Sequence, residues 1–161
     1  MAPQTDRYNP VAVRDASGKS ISGVVAIAAG YAHSLALKND GSLLAWGSNV
    51  LNPVVVQDAS GKPVVGVVAV SAGTGHSLVL KNDGTMLAWG DNRLGQVGDG
   101  TTAYRLNPVA VVDTSGVPVS NIIAVSTRGN FSLALKKDGT ILAWGRNDLG
   151  QLGDGTQTNR L

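Results

Sequence analysis

The residues best suited to acid–base or nucleophilic chemistry are two His-Ser pairs, His33-Ser34 and His76-Ser77. A histidine beside a serine supplies a base and a hydroxyl. A hydrolytic triad also needs an acid to orient the base, and no acid is placed within each repeat to complete one. A third copy of the same stretch reads Phe131-Ser132. A metal ligand or proton carrier does not survive replacement by phenylalanine. His33 and His76 therefore read as structural, rings packed and hydrogen-bonded where a strand begins.

Acidic loops come next. Asp91 to Asp99 and Arg146 to Asp154 are rich in Asp and Gly and invite a calcium reading. They lack the alternating oxygen ligands and closing Glu of an EF-hand loop, and the chain contains no Glu at all. Gly98-Asp99-Gly100 and Gly153-Asp154-Gly155 are followed by no Lys-Ser/Thr pair and no helix, so neither is a phosphate loop. Zero Cys excludes disulfides, thiolate metal sites and a Cys nucleophile. The residues predict no catalytic group, no metal and no cofactor.

Thirteen Lys and Arg against eleven Asp give a net charge of +2, and only Lys136-Lys137 are adjacent. An electrostatic footprint for nucleic acid or an anionic membrane needs clustering, so neither partner is expected. Met1-Ala2-Pro3-Gln4-Thr5-Asp6 lacks the basic start and apolar run of a signal peptide. The apolar runs are too short to span a bilayer. Composition leaves the compartment open, cytoplasmic or, for a fragment, secreted.

These residues are positioned by one repeated element. Ser34-Leu35-Ala36-Leu37-Lys38-Asn39-Asp40-Gly41-Ser42-Leu43-Leu44-Ala45-Trp46-Gly47 recurs at 77–90 and 132–145. Each copy is two short apolar strands around an Asp-Gly turn, a hairpin signal because these residues tolerate positive φ. Ahead of each hairpin lie a Pro-Val strand and an apolar run. The Pro-Val strands begin at Asn9-Pro10-Val11-Ala12-Val13, Asn52-Pro53 and Asn107-Pro108. The run Gly23 to Gly30 is apolar on both faces, which predicts a strand buried on both sides.

Four strands per repeat at this period predict an all-β fold of β-propeller blades, each of four antiparallel strands. Three repeats, about 9–51, 52–106 and 107–161, form a single repeat domain over 1–161. Pro10 to Pro53 is 43 residues and Pro53 to Pro108 is 55. The 12-residue difference is a loop after the second and third hairpins that the first lacks. Such a loop reads as a surface excursion. Trp46, Trp89 and Trp144 are the expected blade-to-blade packing residues, since burying an indole removes roughly 150–250 Å².

Ala28-Ala29-Gly30, His33-Ser34-Leu35-Ala36-Leu37-Lys38, Asp83-Gly84-Thr85, Ala88-Trp89-Gly90 and Gly150-Gln151-Leu152-Gly153-Asp154-Gly155-Thr156 together resemble the regulator-of-chromosome-condensation repeat. The resemblance covers 9–161, with order and spacing kept in three copies. The turn Asp15-Ala16-Ser17-Gly18 resembles bacterial members more than eukaryotic ones. The resemblance implies a propeller, usually of seven blades in that family. It also implies a scaffold for binding proteins, because members that include a GTPase exchange factor and a plant photoreceptor share no chemistry. The photoreceptor's Gly-Trp-Arg-His-Thr loop is matched here by Tyr31, Thr74 and Gly129 at the tryptophan place, so light sensing is not implied.

The expected function is a non-enzymatic protein-binding scaffold. Its candidate contacts are the loop residues Tyr31, Ala32, Thr74, Gly75, Arg128, Gly129 and Asn130 on one rim. A GTPase-regulator activity and a fragment of a longer secreted or surface repeat protein are the alternatives. Propellers normally close with about four to eight blades. Thr5-Asp6-Arg7-Tyr8 repeats the register of Thr158-Asn159-Arg160-Leu161, so Asn9 is what should follow Leu161. The expected assembly is a head-to-tail homodimer closing one six-bladed ring. A truncated piece of a single-chain ring is the rival.

Overall fold

Each Asp-Gly hairpin closes through the same local chemistry. In the computed structural model, which describes residues 7–161, Gly41, Gly84 and Gly139 take φ of 80°, 78° and 86°. Glycine enters that region without a Cβ penalty. The preceding aspartate fastens the turn: Asp40 Oδ1 accepts from the Ser42 backbone N–H at 2.9 Å and its hydroxyl at 2.6 Å. Asp83 with Thr85 and Asp138 with Thr140 repeat the arrangement. These bonds, the side-chain hydroxyl first, hold the carboxyls of Asp40 and Asp83 down at about 2.

The hairpins sit in eleven strands. β1 (Val24–Ala29), β2 (His33–Lys38), β3 (Leu43–Gly47) and β4 (Val50–Val55) form one sheet in that order. β5 (Val67–Ala72), β6 (His76–Lys81), β7 (Met86–Gly90) and β8 (Arg105–Ala110) form the second. β9 (Ile122–Arg128), β10 (Phe131–Lys136) and β11 (Ile141–Gly145) form the third. Every neighbouring pair is antiparallel. β5 touches both β1 and β9, which makes β1, β5 and β9 the innermost strands. The chain is an all-β partial propeller of three blades.

Each complete blade takes its fourth strand from the following repeat. β4 carries Asn52-Pro53 and pairs with β3, and β8 carries Asn107-Pro108 and pairs with β7. Proline lacks an N–H to donate, which suits this outer edge. In the third blade only the start of that strand is present: Arg160 exchanges backbone bonds of 2.8 and 3.1 Å with Gly145. Arg105 pairs with Gly90 in the same way.

Two expectations fail, and a missing neighbour accounts for both except at Val25, whose counterpart Val68 is 52% exposed with a blade on each flank. Asn9-Pro10-Val11-Ala12-Val13 forms no strand, and Val11 and Val13 are 62% and 41% exposed. Among the described residues no strand edge pairs with it. The run from Gly23 to Gly30 is not buried on both sides: Val25 and Ile27 are 63% and 76% exposed. Val70, the counterpart of Ile27, is half-buried because β5 has a blade on each flank, whereas β1 has one on a single flank.

Two apolar cores lie between the blades. Leu37, Leu43, Val56, Val64, Val67 and Val79 fill the first junction, with Trp89 half-buried against them. Leu78, Leu80, Met86, Val111, Ile122 and Trp144 fill the second, together with Val97. Val97 belongs to the loop expected to be a surface excursion, and it is fully buried. That loop is a core element at the second junction. Asn92 organises it, accepting from Val97 N–H at 2.9 Å and donating to Asp99 Oδ1 and Thr101 O at 3.0 Å each. Asn147 does the same after the third hairpin, with Leu152, Asp154 and Thr156.

Candidate functional site

Where each innermost strand turns back into its hairpin, the backbone passes close to its neighbours. A Cβ on Gly30 would lie 2.4 Å from His33 Cε1 and 2.6 Å from Gly73 O. On Gly73 it would lie 2.3 Å from His76 Cε1 and 2.8 Å from Gly129 O. The requirement for glycine is therefore steric: the histidine ring fills the space a side chain would take. In the third blade the pair changes together, to Arg128 and Phe131. Backbone bonds stitch the rim from blade to blade, Tyr31 N–H to Gly73 O at 3.4 Å and Thr74 N–H to Gly129 O at 2.7 Å.

This stitching gathers four of the seven candidate contacts. Tyr31, Thr74, Arg128 and Gly129 line an open cavity of about 260 Å³ at the rim. Tyr31 is 87% exposed, and Thr74 and Arg128 are exposed. Among the described residues, Arg128 is the one charged group on its wall. Ala32, Gly75 and Asn130 lie elsewhere. Ala32 is exposed and its carbonyl accepts from Ser48 N–H at 2.7 Å. Gly75 lines a separate side groove of about 160 Å³ with Trp46, Trp89 and Tyr104. Asn130 is half-buried, its Oδ1 enclosed without a hydrogen-bond partner.

The His-Ser pairs act across blades, not within them. His33 Nε2 lies 3.0 Å from Ser77 Oγ of the next blade, and His76 Nε2 lies 2.9 Å from Ser132 Oγ. Ser132 donates its hydroxyl proton to Gln96 O at 2.9 Å, so its oxygen accepts from the imidazole and His76 carries its proton on Nε2. Trp144 Nε1 donates to the same carbonyl at 3.0 Å. Burial, and to a lesser degree repulsion from His33, push His76 down to about 4, with Asp91 pulling weakly the other way. Burial also lowers His33. Both imidazoles are held as neutral struts.

Sequence reasoning missed Gln96, Asn92 and Asn147, which are fully buried polar side chains. The available signal was the strict repeat of Asn92, Gln96 and Asp99 as Asn147, Gln151 and Asp154. A spacing kept to the residue is more than glycine turns require.

Three segments, residues 24–51, 67–96 and 122–151, match the sequence profile of the regulator of chromosome condensation (RCC1) repeat, and residues 83–135 match a second RCC1 repeat profile. The chain belongs to this family. A Danio rerio protein RCC2 homolog is 42% identical over 65 residues, 40% of this chain and 12% of that protein. An X-linked retinitis pigmentosa GTPase regulator homolog from Caenorhabditis elegans is 38% identical over 64 residues, 40% of this chain and 4% of that protein. The chain thus spans about an eighth or less of these curated relatives.

Among solved structures, human WBSCR16 superposes with a TM-score of 0.67 at 29% identity, over 85% of this chain and 38% of that one. Prp20p of Saccharomyces cerevisiae gives a TM-score of 0.67 at 23% identity, over 86% and 37%. It shares the RCC1 propeller fold. These relatives are eukaryotic, and the bacterial affinity read from the Asp15-Ala16-Ser17-Gly18 turn has no support among them.

Proposed function

We propose that this chain is a non-enzymatic protein-binding scaffold whose contact face is the rim around Tyr31, Thr74 and Arg128. The observation that carries the reading is the pairing of an exposed aromatic and an exposed cation in one backbone-stitched cavity. Aromatic residues and Arg dominate interface hot spots, because they bring large contact area and directed donors with few ordered rotors. With no acidic group among the described residues of its wall, the cavity favours a partner segment bearing a carboxylate. The Nε2 atoms of both imidazoles are taken up by interblade bonds.

Affinity capture with the chain as bait, followed by titration of the recovered protein, tests this. Tyr31→Ala with Arg128→Ala weakens binding by about tenfold or more, which is about 1.4 kcal/mol. Unchanged affinity moves the contact face off the rim. A second reading, regulation of a small GTPase, is favoured by the name of the Caenorhabditis elegans relative. Nucleotide release from a panel of GTPases, measured with and without the chain, separates the two.

A further inference from the structure

The two interblade junctions are covered differently. At the second, the loop after β7 lays Gln96, Val97 and Gly98 against the third blade. Gln96 O accepts from Ser132 Oγ at 2.9 Å and from Trp144 Nε1 at 3.0 Å. Val97 is fully buried beside it, and a Cβ on Gly98 would stand 2.5 Å from Trp144 Nε1. Under this cover Trp144 is 6% exposed.

At the first junction the receiving side is built in the same way, but the covering loop is two residues long. Ser77 pairs with Trp89 across β6 and β7, as Ser132 pairs with Trp144 across β10 and β11. Gly47 closes on Val50 through Ser48 and Asn49 alone, where Gly90 closes on Arg105 through residues 91–104. Ser77 is 3% exposed, and its hydroxyl lies 3.0 Å from His33 Nε2. Among the described residues no carbonyl stands on Ser77 as Gln96 O stands on Ser132, and the Trp89 indole N–H has no acceptor. The uncovered space is the groove of about 160 Å³, walled by Ser77, Trp89 and Tyr104 on one side and by Ala45, Val50 and Val54 on the other. Val54 and Tyr104 are 51% and 65% exposed. A few placed polar groups in an apolar wall are what orient a ligand in a pocket.

We infer that this groove is a second protein-contact site, which takes a glycine-bounded loop of a partner protein. That loop presents one main-chain carbonyl and, next to it, a branched apolar side chain. The carbonyl accepts from Ser77 Oγ and Trp89 Nε1. Ser77 then relays as Ser132 does, accepting from the imidazole and donating to the carbonyl. The apolar side chain takes the place that Val97 takes at the other junction. The molecule itself carries the model for this occupant, since Gln96, Val97 and Gly98 sit on the same Ser-Trp pair one blade further on. The groove shares no residue with the rim cavity of Tyr31 and Arg128 and does not rest on its role.

The probe is a synthetic peptide of residues 91–104 joined end to end, because Gly90 and Arg105 hold those ends together in the chain. The Asn92 bonds that shape the loop all lie inside it. Titration into the isotope-labelled full chain is followed by the indole N–H signals. The expected result is a saturable downfield shift of the Trp89 signal, with a dissociation constant of about 1 mM or tighter, while the covered Trp144 signal stays in place. Val97→Asp in the peptide weakens binding by about tenfold or more, because it carries a charge into an apolar place. Trp89→Phe in the chain keeps a ring, deletes the donor and weakens binding about fivefold, the worth of one hydrogen bond. Should that variant melt early, the peptide change carries the test unaided. Tyr31→Ala with Arg128→Ala leaves peptide binding unchanged, which separates this site from the rim. No shift at several millimolar peptide, indifference to Val97→Asp, or an equal shift with a scrambled ring would each overturn the inference. So would a shift of the same signal on concentrating the chain alone, which would seat a second copy there.

Discussion

His76 Nε2 lies 2.9 Å from Ser132 Oγ on the next blade, and the serine passes its own proton to Gln96 O at 2.9 Å. With Trp144 donating to the same carbonyl, one backbone oxygen collects two donors from the third blade. That chain of bonds ties the loop of the second blade and the strand starts of two blades into one junction.

Stability should fall as pH drops through this junction. An unfolded His76 takes up a proton near 6.5, whereas the folded one resists until about 4. The unfolded state binds more protons between those values, so the contribution is fully present above about 6.5 and lost by about 4. The expected loss is roughly 3 kcal/mol, at about 1.4 kcal/mol per pH unit. Urea melts at pH 7, 5.5 and 4.5 measure it, and a His76→Gln variant should flatten that slope.

Ser132→Ala removes the acceptor for the buried imidazole N–H. Leaving such a donor unsatisfied costs roughly 1–3 kcal/mol. Ser77→Ala should cost less, since His33 is only half-buried and can recruit water. Equal losses in chemical denaturation would contradict this ordering.

The tryptophans should rank by their burial. Trp144 is 6% exposed and hydrogen-bonded, whereas Trp46 and Trp89 are half-buried. Trp144→Ala is expected to cost about 3–5 kcal/mol, the usual range for a core aromatic, and Trp46→Ala the least. Thermal melts of the three variants give the order.

At the rim, Arg128→Ala should leave thermal stability within about 0.5 kcal/mol, as surface changes do. Gly73→Ala at the adjacent blade should destabilise by about 1–3 kcal/mol, because its Cβ meets the His76 ring and Gly129 O, as in an overpacked core. Differential scanning calorimetry separates the two. A Gly73→Ala melt matching the parent would refute the steric account.

The hairpins and their period were legible because each is set by neighbours in sequence: the Asp40 carboxyl and Gly41 backbone act within four residues. Contacts made across blades were not. Nothing local tells that His76 bonds a serine 56 residues away, or that Val97 is buried while its counterpart Leu152 is only half-buried. Strand periodicity reports two apolar faces but not whether a neighbour covers each, which is why Ile27 misled. Tyr31 and Arg128 were placed together from their loop positions. Their shared cavity depends on Gly73 and Gly129 backbone bonds that composition does not reveal.

The junction after each hairpin accepts inserts of unequal length at one fixed pair of take-off points. Gly47 pairs with Val50 across two residues, Ser48 and Asn49 at φ of 48° and 77°. Gly90 makes the equivalent pair with Arg105 across residues 91–104. Lengthening a flexible connection from two residues to fourteen costs only roughly 2 kcal/mol of closure entropy, and the strands on either side do not move out of register. The connection is a cassette port. A foreign peptide grafted between Gly47 and Val50 would stand directly over the groove of Trp46, Trp89 and Tyr104, at a site the fold already tolerates both empty and filled.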